Sequence, residues 1–160
     1  MTADEYIQKL FELSTKKLDS LKEILKLTEK QSTVITEDNA EELHSIIDQK
    51  QKRMDIIDEL DQAFEVYFAR LKSVLGVKSL EEIRATQLNG SSELKQVVTA
   101  IYDVTKQIQS LEESNNKKVK ESMDKLSSEI RQVKRGKMVN NGYNIAAKLP
   151  QQSYYFDKKK

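Results

Sequence analysis

Glu41 and His44 stand three residues apart in a helical stretch, the spacing with which di-metal helical bundles aim two ligands at one centre. Such a centre also needs a second Glu-x-x-His and two further inward carboxylates, and His44 is the sole histidine in the chain. The pair therefore reads as a solvated histidine beside the apolar position Leu43. Cysteine is absent, so there is no thiolate ligand, no thiol nucleophile and no disulfide framework. One histidine and no glycine-rich phosphate loop leave neither a triad nor a nucleotide cradle to assemble. The expectation is a protein that is not an enzyme and takes no cofactor or metal. Asn89, Gly90 and Ser91 match a glycosylation sequon, but in a chain without signs of an oxidising compartment they read as a turn.

With chemistry set aside, composition points to scaffolding. Of the 160 residues, 33% are charged and 38% hydrophobic, against about 25% and 45–50% in an average domain. One proline and four glycines are too few breakers for a sheet with many turns. The fold class expected is all-α. The opening Met-Thr-Ala-Asp-Glu-Tyr has neither a basic nor an apolar leader region, and no window approaches the roughly 18 apolar residues of a membrane span. A cytoplasmic location without membrane insertion is expected. The net charge of +1 hides an asymmetry: residues 1–75 carry 11 basic and 16 acidic groups, residues 131–160 carry 8 and 1. A nucleic-acid module would spread basic residues over a folded face, whereas this body is acidic, so no nucleic acid is expected as a partner.

Three apolar stripes alternate at spacings of four and three. The first passes through Ile7, Phe11, Ser14, Leu18, Leu21, Leu25, Thr28, Ser32 and Ile35, and Thr2 precedes Glu5 in capping-box spacing. A second helix starts at Asp38, with Glu41 three residues on, and runs through Leu43, Ile47, Lys50, Met54, Ile57, Asp61, Phe64, Phe68, Leu71 and Leu75 to Gly76 as its C′ residue. The short join between them forces an antiparallel hairpin. Ser79 to Gln87 reads as a short crossing helix. From Ser92 to Arg135 a third long helix carries Leu94, Val98, Ile101, Val104, Ile108, Leu111, Val119, Met123, Leu126, Ile130 and Val133, with a polar middle from Glu112 to Lys118. Lys50, Asp61, Glu112 and Asn115 interrupt the seams, the usual place for residues that fix helix register.

The architecture expected is thus an elongated bundle of three long helices, residues 1–135, followed by a flexible, basic tail, residues 136–160. The third helix, about 66 Å long, outreaches the first by roughly 15 Å. Its apolar end at Val119, Met123, Leu126, Ile130 and Val133 then lacks a cover and offers a partner face, which in the free protein pairs with another copy of itself. The tail adds Tyr143, Ile145, Leu149, Tyr154, Tyr155 and Phe156. A structural or adaptor coiled-coil subunit would carry the same stripes, but it would bury that end in an oligomer and have no use for tail aromatics.

The segment from Glu12 to Asp61 resembles the FlgN family of flagellar type III export chaperones, through Leu21, Ile24, Leu25, Lys30, Val34, Ile35, Asp38, Leu43, Ile46, Ile47 and the stretch from Lys50 to Lys52. Leu111, Glu112, Asn115 and Asn116 are similar to the family's leucine and spaced asparagines in its long last helix. The closing Tyr-Tyr-Phe-Asp-Lys-Lys-Lys looks like the tails of Gram-positive members. The resemblance implies a cytosolic chaperone that holds hook-filament junction proteins unpolymerised by their C-terminal helical segments and delivers them to export apparatus components. By position, the client surface it implies is Val119, Met123, Leu126, Ile130 and Val133 with the six tail residues named above.

Overall fold

The computed structural model describes residues 1–37, 39–85 and 88–136. Four helices follow in order: α1 (Ala3–Glu37), α2 (Ala40–Leu75), α3 (Leu80–Ala85) and α4 (Ser91–Gly136), with no strand among the described residues. The protein is all-α and built on three long helices.

Local chemistry sets the helix ends. At the start of α1 the Thr2 amide donates to Glu5 Oε2 at 2.7 Å and the Glu5 amide donates back to Thr2 Oγ1 at 3.2 Å, a reciprocal capping box. The cap of α2 is Asn39, whose side chain accepts from the Glu42 amide at 3.1 Å. Asp38, expected in that role, lies outside the described residues. Both it and Asn39 precede a glutamate by three, so the spacing alone allowed either. Gly76 closes α2 in the left-handed region, φ 68°, with its N–H donating to the Lys72 carbonyl. Ser79 caps α3 by accepting from the Glu82 amide at 3.2 Å. The sequence suggested a helix running to Gln87; it is described over Leu80–Ala85, and Thr86 and Gln87 lie outside the described residues.

Contacts along the bundle fix its topology. Lys17 pairs with Asp61 at 2.7 Å and Gln31 with Lys50 at 3.0 Å, so α2 runs antiparallel to α1. Leu94 joins Ile7 and Leu10 in one cluster, and Asn115 reaches Thr28 and Ser32, so α4 runs parallel to α1 with an offset of about 85 positions. α3 makes this possible by carrying the chain across the end where α2 stops; its Ile83 is fully buried. Lys95 of α4 holds Glu81 of α3 at 2.9 Å. That hydrogen bond, helped by the glutamate's own backbone and by the lysine charge, keeps the Glu81 carboxyl below its ordinary range.

The apolar core divides into two. One cluster, Ile7, Leu10, Leu71, Ile83 and Leu94 with Tyr6, Phe64, Tyr67 and Phe68 around it, closes the end where α1 starts. The other, Val34, Leu43, Ile46 and Ile47, closes the hairpin turn. Between them α1 is the common partner: α2 and α4 each pack along it and meet one another far less. On α1, Gln31 and Val34 face α2 whereas Thr28 and Ser32 face α4. At 3.6 residues per turn these directions diverge by roughly 100°. A close triangle of helices would need a narrower angle, so an open furrow separates α2 from α4. Met54, expected on the buried seam of α2, is accordingly 41% exposed.

Candidate functional site

With α4 offset by about 85 positions, the last residue of α1, Glu37, lies level with residue ~122 of α4. The remainder of α4, roughly 14 residues or ~21 Å, continues beyond the hairpin. The side chains follow that boundary. Val119 is buried at 4%, Met123, Leu126 and Ile130 are half-buried, and Val133 is 41% exposed. These five repeat at four-three spacing, so they form a single seam along the projecting segment. The other expected client residues, Tyr143, Ile145, Leu149, Tyr154, Tyr155 and Phe156, lie outside the described residues.

Immediately before the projection, a polar layer joins all three long helices. Lys50, 5% exposed, donates to Gln31 Oε1 at 3.0 Å and to Glu112. Asn115, fully buried, donates to the Thr28 carbonyl at 3.1 Å and accepts from the Ser32 hydroxyl. The polar middle expected of the third helix is therefore a set of contacts across the bundle. Three of the four seam interruptions, Lys50, Glu112 and Asn115, meet here; Asp61 lies apart, paired with Lys17. Thr28 and Ser32 are members of the α1 stripe in the sequence, but Gln31 carries no sequence signal. Its burial follows only once Lys50 is placed opposite. Two buried side-chain atoms of this region, Gln31 Nε2 and Asn116 Oδ1, make no hydrogen bond.

His44 Nε2 lies 3.4 Å from Asp48 Oδ2 one turn on, and both side chains are about half exposed. Among the described residues no group of three or more histidine, aspartate or glutamate side chains is placed to hold a metal ion. Nor is any helix among them long and apolar enough to cross a membrane. Among the described residues, the arrangement is an amphipathic helix held at its base by a specific polar layer and continuing past the end of α1.

A family model described as FlgN protein aligns with residues 1–151. No curated protein and no solved structure matches the chain.

Proposed function

The chain belongs to the FlgN family of flagellar export chaperones, and on that premise we propose that it binds the C-terminal helical segments of flagellar hook-filament junction proteins. It keeps these clients from assembling prematurely and delivers them in the cytoplasm to the type III export apparatus. The observation that supports this reading is the seam Met123, Leu126, Ile130 and Val133, half-buried to exposed, which continues past the level at which α1 ends. A client's amphipathic helix fits such a seam by the same four-three spacing. Tyr143, Ile145, Leu149, Tyr154, Tyr155 and Phe156 extend the surface, since tyrosine and phenylalanine bring large contact area with few rotatable bonds.

Calorimetry with a C-terminal peptide of a hook-filament junction protein tests the proposal. Met123→Glu with Ile130→Glu should weaken binding at least tenfold, while Ile56→Glu, on α2 and away from the seam, should leave it unchanged. Tyr154, Tyr155 and Phe156 changed together to Ala should weaken it by a smaller factor. Failure of the native chain to bind such peptides, with self-association through the seam instead, would favour a structural coiled-coil subunit.

A further inference from the structure

The furrow between α2 and α4 has a chemical character of its own. Lys50 and Glu112 reach one another across it, so they mark the sides of α2 and α4 that border it. Continuing along α2 on the Lys50 side come Met54, Asp58, Asp61 and Glu65; along α4, Thr105 follows the Glu112 side and Tyr102 stands at the rim. Met54 is 41% and Tyr102 59% exposed, which is unusual for large apolar groups in the middle of a bundle. Between residues 54 and 66, α2 carries five carboxylates and no basic residue. Lys17 occupies Asp61, which leaves Asp58 and Glu65 as the net charge of this wall; on the α4 side Lys106 lies over the Tyr102 ring at 4.7 Å and keeps its positive charge.

The chain beyond α4 has the complementary composition and the necessary length. Residues 137–160 hold five lysines, one carboxylate and the run Tyr154-Tyr155-Phe156. Asp61 meets Lys17, and the offset places Lys17 level with Tyr102, so Asp61 and Tyr102 border the furrow at one height. From Gly136 back to that height is ~51 Å along the helix. An extended chain covers up to ~65 Å between Gly136 and Tyr155. We infer that in the client-free protein residues 143–160 fold back along the bundle and lie in the α2–α4 furrow. Tyr154, Tyr155 and Phe156 then cover Tyr102 and Met54, and Lys158 to Lys160 lie against Glu65 and Asp58. The inference concerns the chain alone and stands whether or not the client proposed above is the right one.

Because the chain has no cysteine, two introduced thiols report their encounter cleanly. Full-length protein with Tyr155→Cys and Tyr102→Cys is oxidised at low concentration beside protein with Tyr155→Cys and Val66→Cys. Val66 is 49% exposed on the face of α2 turned away from the furrow. An intramolecular disulfide yield at least fivefold higher for the first pair, falling as salt is raised, is the expected result. Equal yields would overturn the inference, and so would disulfide-linked dimers in place of the intramolecular product, since a second copy would then fill the furrow. A second measurement keeps the tail aromatics native. Tyr102→Trp supplies the chain's one tryptophan, and its emission should shift to longer wavelength when Lys158, Lys159 and Lys160 are all changed to Glu. Identical spectra would count against the inference.

Discussion

Asn115 of α4 donates its side-chain amide to the carbonyl of Thr28 in α1, at 3.1 Å, from a position with no solvent exposure. The bond joins residues 87 positions apart and can form in one register only. It sets how far α4 projects beyond the hairpin, because sliding α4 by one turn would leave a buried amide and the Ser32 hydroxyl without each other. Asn115→Ala should therefore destabilise the protein by about 1–3 kcal/mol, as read from urea unfolding. No change in midpoint would mean that the layer is not what holds α4.

Lys50 and Glu112 supply the second tie in the same layer. Lys50 is nearly buried, while Glu112 keeps 24% of its side chain exposed, so water screens the pair from one side. Removing one partner of a fully buried pair costs about 3–5 kcal/mol, and Glu112→Ala should cost less than that. Lys50→Met combined with Glu112→Leu should recover part of the loss, because no charge is then left without its counterpart while the buried Gln31 Oε1 loses its donor. A double-mutant cycle by thermal or urea unfolding measures the coupling; additive effects would contradict it.

Gly76 and Gly90 both adopt positive φ, 68° and 85°. A Cβ at Gly76 meets nothing within 4 Å, whereas at Gly90 it would approach Ile7 Cγ2 to 3.2 Å. Gly76→Ala should cost about 1 kcal/mol, the strain of the left-handed conformation alone. Gly90→Ala should cost more, since it also displaces a fully buried isoleucine of the core. Equal losses in unfolding free energy would show that Ile7 yields without penalty.

The lowered pKa of Glu81 gives the acid limb of stability a defined sign. Its folded value lies below its unfolded one, so the stability it contributes is complete above the ordinary carboxylate range and is lost as pH falls through the lowered value. Glu81→Gln should flatten that part of the profile only slightly, because the carboxylate is exposed to solvent. Salt should have the same effect on the native protein. A profile steeper in the Gln variant would contradict the assignment.

The helices themselves were legible because their determinants are local. Thr2 with Glu5, Ser79 with Glu82, and Gly76 declare helix ends by side-chain type and spacing, and each does so in the structure. The stripe from Leu43 to Leu75 also declared its helix, but it did not reveal that Met54 would stand open to water. That depends on the angle at which α2 and α4 lean on α1, which is set by which α1 side chains face each neighbour and has no local signature. Lys50 and Glu112 were readable as interruptions, yet their pairing spans 62 positions and needed the third helix in place. Val119, Met123, Leu126, Ile130 and Val133 could be read as one face from spacing because a helix keeps its period along its whole length, from buried Val119 to exposed Val133.

The parallel course of α1 and α4 has an electrostatic consequence. Aligned peptide groups give each helix a partial negative charge at its C-terminus, roughly half an elementary charge. At the hairpin turn, the C-terminal end of α1 lies beside the N-terminus of α2, whose opposite partial charge neutralises it; α1 has no basic residue in its last turn. Among the described residues no helix starts beside the tip of α4, and it is there that the last turn carries Lys134 and Arg135. Cations in that position stabilise a helix end by about 0.3–1 kcal/mol each. These basic residues at the end of an acidic body thus secure the projecting helix itself, so their charge need not answer to the charge of any client.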